Sequence, residues 1–252
     1  MKETLNFHNK FPQTLDEIRQ ILYIRSKLFL IDIFSRKLGK LKSGGFLENS
    51  ENLKVGIMGG TFNPIHNGHL RIAETAFAEL RLDKVLFVPN AAPPHKRIAN
   101  DVAFEHRINM VNLAIANNPN FRICTIESFG KGEAEYTVNT LKNLRELFPS
   151  YEFYFITGAD ALIDMNKWKS PDEIFKLCEI VTTARPGKDS DELDFAIVNL
   201  RENYGARVTV IRMPLVDISS TQVREAVAAG LNVEHLVPPK VREYILEEEL
   251  YV

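Results

Sequence analysis

Apolar positions along this chain follow two alternating rhythms. Short, nearly unbroken apolar runs read as buried strands: Leu53-Lys54-Val55-Gly56-Ile57-Met58, Lys84-Val85-Leu86-Phe87-Val88, and residues 121–126, 151–156, 179–183 and 208–213. Stretches with helical spacing lie between and after them, at 71–80, 102–117, 138–148, 191–203, 219–229 and 239–248. The helix over 102–117 carries Phe104, Ile108, Val111, Leu113 and Ile115 on mostly helical spacing. Pro149 stops the helix over 138–148, and another helix follows Ser170-Pro171, with proline at its first position. Strands alternating with helices predict an α/β fold with a doubly wound, mostly parallel sheet. Ligands of such sheets bind beyond the carboxyl ends of the strands. The loops at Gly59, Pro89, Gly158-Ala159-Asp160, Arg185-Pro186-Gly187 and Ser219 each follow a predicted strand, so all five are expected at one edge.

The first 53 residues have a different character. Thr14-Leu15-Asp16-Glu17 is a capping box that opens a helix through about residue 38, ended by Gly39 and followed by a Ser43-Gly44-Gly45 linker. Its Leu15, Ile18, Leu22, Leu28, Phe29, Ile33 and Phe34 are too many for a free surface helix. They are expected to be covered either by the core or by another copy of the chain, which makes a homo-oligomer a candidate. The segment carries a formal charge of +3 against −5 for the rest. The division expected is therefore an N-terminal helical extension over 1–53 and a catalytic domain over 54–252.

Composition narrows the class of protein. The 252 residues are 45% hydrophobic and 25% charged, enough for one substantial core. A net charge of −2 gives no electrostatic case for nucleic acid. No apolar stretch approaches the roughly 20 residues that span a bilayer, and no signal peptide is evident. Two widely separated cysteines, Cys124 and Cys178, suit a reducing cytoplasm.

The chemistry concentrates in Gly59-Gly60-Thr61-Phe62-Asn63-Pro64-Ile65-His66-Asn67-Gly68-His69-Leu70. A strand, a glycine-rich turn and a helix N-terminus make an anion site, because backbone approaches closely and helix amides point outward. The pattern is neither G-x-G-x-x-G nor a P-loop. His66 and His69 fall within one turn at the start of a helix, facing one pocket. Taken alone, such a pair also fits a helix cap plus a surface histidine, or two zinc ligands, although no Cys/His cluster completes a zinc set. His8, His106 and His235 read as structural or surface residues.

This run resembles the signature of the nucleotidylyltransferase superfamily with the (His/Thr)-x-Gly-His motif. Ile218-Ser219-Ser220-Thr221-Gln222-Val223-Arg224 resembles its Ile-Ser-Ser-Thr-x-x-Arg motif. Within that superfamily, Pro89-Asn90-Ala91-Ala92-Pro93-Pro94-His95-Lys96, Tyr136-Thr137-Val138-Asn139-Thr140-Leu141, Ile156-Thr157-Gly158-Ala159-Asp160, Trp168 and Ala184-Arg185-Pro186-Gly187 are similar to bacterial nicotinate-nucleotide adenylyltransferases. The likeness runs from about Val55 to Ile245. One departure is Asn63, where aspartate is also common.

The resemblance implies a Rossmann-like nucleotidylyltransferase fold and transfer of the adenylyl group of ATP to nicotinate mononucleotide, with Mg²⁺ carried by the polyphosphate. His66, His69, Lys96 and Arg224 would act at the reacting phosphates. Gly59, Gly60, Thr61, Phe62, Asn63, Gly158, Asp160, Arg185, Ile218, Ser219, Ser220 and Thr221 would bind ATP, with Asp160 either accepting from ribose or capping the helix that follows it. Asn90, His95, Lys96, Tyr136, Thr137 and Trp168 would bind the acceptor, with Trp168 stacking on the pyridine. The ATP motifs alone leave open an acceptor such as nicotinamide mononucleotide or phosphopantetheine, or a nucleotide-sensing module.

Overall fold

A computed structural model describes residues 52–91, 102–126, 136–184, 190–213 and 217–252. Six strands form one sheet: β1 (Lys54–Gly60), β2 (Lys84–Pro89), β3 (Phe121–Ile123), β4 (Glu152–Thr157), β5 (Glu179–Ala184) and β6 (Val208–Arg212). Their order is β3-β2-β1-β4-β5-β6, and every adjacent pair is parallel. The chain thus winds outward from β1 to one edge, returns to the centre and winds to the other. The two directions part between β1 and β4, where a crevice opens beyond the strand ends.

Eight helices are described: α1 (Asn67–Glu79), α2 (Phe104–Ile115), α3 (Thr137–Leu147), α4 (Ala159–Ile163), α5 (Pro171–Leu177), α6 (Ser190–Tyr204), α7 (Ser220–Ala228) and α8 (Pro239–Glu247). A 3₁₀ turn, Met165–Lys167, leads to Trp168. The pleat sorts the strand residues between two faces. Met58, Val85, Phe87, Tyr154 and Ile156 join one buried cluster with Ala73 and Ala76 of α1, Met110 of α2, Val223 of α7 and Val241 of α8. Val55, Ile57, Leu86, Val88, Phe153 and Phe155 alternate with them, are also buried, and lie outside that cluster. Burial on both faces explains why β2 reads as an unbroken apolar run.

Gly56 marks the tightest part of the centre. A Cβ there would lie 2.8 Å from Ile156 Cδ1 and 2.9 Å from Leu82 Cδ1. Such overpacking typically costs about 1–3 kcal/mol.

Several elements differ from expectation for identifiable reasons. The strand expected over 121–126 is paired only over Phe121–Ile123, because β3 is an edge strand against Val85–Phe87. The helix expected at 71 starts at Asn67. Its first turn mixes roles, with His69 lining the crevice, Gly68 buried and Leu70 packed against the core cluster, so no regular apolar rhythm marks it. The helix and linker read over 15–45, together with His95, Lys96 and Arg185, lie outside the described residues.

Candidate active site

The crevice is a cleft of about 870 Å³. Ile57, Val88 and Phe155, from the second face of the sheet, line its wall with Thr140 and Leu141 of α3. Thr140 and Leu141 belong to the run starting at Tyr136 that resembles the family, whereas Ile57, Val88 and Phe155 were not singled out in the sequence, because each reads there as ordinary strand core. They give the cleft an apolar floor, and its rim is polar.

The rim begins where β1 ends. Gly59, Gly60, Thr61, Phe62 and Asn63 all line the cleft. The Asn90 amide donates to the Gly60 carbonyl at 2.9 Å, so the loop after β2 is sewn to the loop after β1. Phe62 turns the chain at φ 50° with its side chain 1% exposed. Left-handed backbone is costly for a bulky residue and persists only where packing over-determines it. Phe62 packs edge-on against His69, centroids 5.1 Å apart, and so seats that ring.

His66 is the N-cap of α1 and His69 is its third residue. Their rings stack at 3.7 Å with 30° between planes. Gly68 makes this possible: a Cβ there would lie 2.9 Å from His66 Nδ1 and 3.0 Å from Cε1. The glycine of His-x-Gly-His is therefore a space requirement of the first histidine. The His66 amide donates to His69 Nδ1 at 3.3 Å. A ring nitrogen that accepts carries no proton, so neutral His69 holds its proton on Nε2 and offers that N–H as a donor. Burial pushes the His66 pKa down to about 4. Burial, and then the charge His66 would carry, holds His69 well below the usual histidine range. Both rings are neutral at pH 7 without nucleotide. His66 Nδ1 is buried without a hydrogen-bond partner.

The amides of α1 contribute less to an anion site than the sequence suggested. The Asn67 amide donates to the Leu236 carbonyl at 2.8 Å, and the His69 amide to the His66 carbonyl at 3.0 Å. The second helix terminus is α7, which opens with a full capping box. Gln222 N donates to Ser219 Oγ at 3.2 Å, and Ser219 N to Gln222 Oε1 at 2.6 Å. Ile218, Ser219, Ser220, Thr221 and Arg224 line the cleft. Ser220 Oγ donates to the Pro64 carbonyl at 2.9 Å, and Arg224 donates to the Asn63 carbonyl at 2.7 Å and to Thr221 Oγ1 at 3.2 Å. Arg224 thus pins the β1 loop and also brings a cation beside the histidines.

At the other end, Gly158 and Asp160 line the cleft after β4. Gly158, not Asp160, is the N-cap of α4. This removes the capping alternative for Asp160, whose exposed side chain stands at the second helical position. Asn90, Thr137 and Trp168 also line the cleft, and Trp168 packs edge-on to Phe155, centroids 6.0 Å apart. Tyr136 does not line it. Its ring instead carries the Lys169 ammonium, 4.2 Å from the centroid. Lys169 was not singled out in the sequence, where it reads as a surface lysine.

Arg107 was missed as well. It is 2% exposed and donates to the carbonyls of Thr61 and Asn90, both at 2.7 Å, with Phe104 beneath the guanidinium. An arginine one turn after Phe104, inside an otherwise apolar helix stripe, was the available signal. Of the histidines set aside, His106 pairs with the Tyr244 hydroxyl at 2.8 Å, and the His235 carbonyl accepts from Asn67.

Among the described residues, no three His, Cys, Asp or Glu side chains gather to hold a metal ion. The donors on the rim are hydroxyls, amides, imidazoles and a guanidinium, a set suited to a polyphosphate. Nor is any described helix long and apolar enough to cross a membrane.

Residues 57–226 match the cytidylyltransferase-like family. The chain is 42% identical over 213 residues to the probable nicotinate-nucleotide adenylyltransferase of Geotalea daltonii, covering 79% of this chain and 98% of that protein. It is 39% identical over 199 residues to that of Lachnoclostridium phytofermentans, covering 79% and 99%. Among solved structures, it resembles Plasmodium falciparum nicotinic acid mononucleotide adenylyltransferase complexed with NaAD. The TM-score is 0.64 at 22% identity, with 79% and 98% of the two chains covered, a likeness that bears on the fold. With both signature histidines, the Ser-Ser-Thr helix start and Arg224 gathered in one cleft, and with relatives matched over nearly their full length, the chain belongs to the cytidylyltransferase-like family and, within it, to the nicotinate-nucleotide adenylyltransferases.

Proposed function

We propose that this chain transfers the adenylyl group of ATP to nicotinate mononucleotide, giving nicotinate adenine dinucleotide and pyrophosphate. One observation carries the reading. A stacked, neutral histidine pair at the start of α1 shares a cleft with the start of α7, which suits a polyphosphate, and with Trp168, which suits a flat ring.

The acceptor phosphate is already anionic at neutral pH, so no base has to create the nucleophile. Its oxygen forms a bond to the α-phosphorus of ATP as the bond to the bridging oxygen breaks, and pyrophosphate leaves with that electron pair. Catalysis is then positioning and neutralisation of charge. His69 donates from Nε2 to an α-phosphate oxygen, and His66 lies against it to complete the donor wall. Negative charge arriving at two buried neutral rings raises their pKa, so the pair can take up a proton as the transition state grows. The first-turn amides of α7 and Arg224 hold the leaving pyrophosphate. By their motif resemblance, Lys96 acts at the transferred phosphate and Arg185 binds ATP. Asp160 accepts from the adenosine ribose. A divalent cation, Mg²⁺ on this reading, would be held mainly by the ATP phosphates and would offset part of their charge.

At the acceptor end, Trp168 stacks on the pyridine, and Asn90, Thr137 and His95 bind the nucleotide; Tyr136 stands off the cleft and takes no direct part. The working compartment is the cytoplasm, where ATP is available and the buried thiols Cys124 and Cys178 stay reduced. Residues 1–53 are an accessory extension and not part of the active site.

The test presents purified protein with ATP·Mg²⁺ and, in parallel, nicotinate mononucleotide, nicotinamide mononucleotide and phosphopantetheine, recording pyrophosphate release. Nicotinate mononucleotide should win by roughly 10-fold or more in kcat/KM, because an unmatched carboxylate site costs about 1–3 kcal/mol per lost partner. Equal efficiencies would refute the acceptor assignment.

A further inference from the structure

Beyond α8 the chain makes a sharp return. Glu249 and Tyr251 both adopt left-handed backbone, at φ 49° and 67°. Together they turn Leu250 and Tyr251 inward, to 7% and 6% exposure, and both join the core cluster under α1. Two non-glycine residues in this region cost on the order of 1–2 kcal/mol each, so the surroundings must hold them. Part of that hold is the Tyr251 hydroxyl, which donates to Asn63 Oδ1 at 2.7 Å across 188 positions of sequence.

Asn63 is itself 1% exposed, and its backbone carbonyl is the one that Arg224 grips. Its neighbour Pro64 receives Ser220, and the turn leads within three residues to His66. The hydroxyl of Tyr251 therefore reaches the residue on which the phosphate side of the cleft is assembled. Packing alone does not account for it. A phenylalanine would fill the same space without the cost of burying a hydroxyl. Oδ1 facing Tyr251 also sets which way the amide points. Its Nδ2 is buried with no partner, so the bond from Tyr251 is the amide's side-chain anchor among the described residues.

We propose that Tyr251 is a positioning residue for adenylyl transfer: its hydroxyl locks the Asn63 amide, and through it the turn that carries the Arg224, Ser220 and His66 contacts. The proposal rests on the adenylyltransferase reading of the cleft. It predicts an effect on alignment more than on ground-state binding, since the triphosphate keeps its charged partners when the turn loosens.

The experiment is a double-mutant cycle on the full chain. Tyr251→Phe should lower kcat about 10-fold with the KM for ATP moving less than about twofold. In an Asn63→Ala background, Tyr251→Phe should cost nothing further. In an Asn63→Asp background, where a carboxylate still accepts from the hydroxyl, it should cost about as much as in the parent. Ring-proton NMR of the nucleotide-free protein should show the His66 and His69 resonances displaced by Tyr251→Phe, a readout independent of the acceptor. A variant that melts lower but keeps kcat within twofold and leaves both resonances in place would overturn the proposal, as would additivity with Asn63→Ala. Absence of pyrophosphate release from the parent with every acceptor would instead count against the reaction, and the resonances would then decide the positioning role.

Discussion

Acid should destabilise this protein through its histidine pair, and the size of the effect can be worked out. The unfolded chain carries His66 near the ordinary value of 6.5, whereas the folded chain holds it at about 4. Between those values the unfolded state binds a proton that the native state refuses. Stability is therefore fully present above about pH 6.5 and is lost as pH falls toward 4. From pH 7 to pH 5 the loss from His66 alone is about 2 kcal/mol. His69, depressed by the same burial, adds to the same side. For a chain of this size the His66 part alone lowers Tm by roughly 4–8 °C. The perturbation is His66→Gln, which removes the titration. Its absolute stability will differ, but its pH slope is what matters. Parent and variant are melted by scanning calorimetry at pH 7, 6 and 5, and the variant should fall less steeply by about 2 kcal/mol over that range. A saturating, non-hydrolysable ATP analogue should flatten the parent's slope as well, since phosphate charge lifts both histidines. Parallel slopes for parent and variant would show that His66 is not buried neutral as the cleft geometry requires.

Other consequences can be checked with single substitutions. His69→Ala should lower kcat roughly 10²–10³-fold with a smaller change in KM for ATP, as for loss of a donor to transition-state charge; turnover within a few-fold of the parent would remove His69 from the reaction. Arg224→Ala should raise the KM for ATP as well as lower kcat, because it both meets the triphosphate and releases the Asn63 carbonyl; an unchanged ATP affinity would leave Arg224 only a structural tether. Gly68→Ala should displace the His66 ring and cost activity by at least about 10-fold while the protein still melts cooperatively; a fully active variant would show that the ring does not need that space. Trp168, the only tryptophan in the chain, should change its fluorescence when nicotinate mononucleotide is titrated without ATP; no change at saturation would remove it from the acceptor end.

Much of this protein is written locally. The alternation of apolar runs with helical periodicity determined the α/β class, because the two periods reflect burial on two faces or on one stripe. The Gly59–Leu70 run and the Ser219–Arg224 run were legible because their chemistry is carried by consecutive residues at strand-to-helix junctions. The first turn of α1 was legible only through its histidine pair, because Asn67 to Leu70 split between cleft and core and carry no regular apolar rhythm. It could not show that α1's leading amide is already taken by Leu236, or that Gly158 rather than Asp160 caps α4. Arg107, Lys169 and Tyr251 were invisible for the same reason: each acts on a partner brought near only when the sheet assembles. The cleft itself arises only from strand order, because β1 and β4 are neighbours in the sheet but 98 positions apart in register, Lys54 against Glu152 at the near end and Met58 against Ile156 at the far end, a spacing that no local window spans.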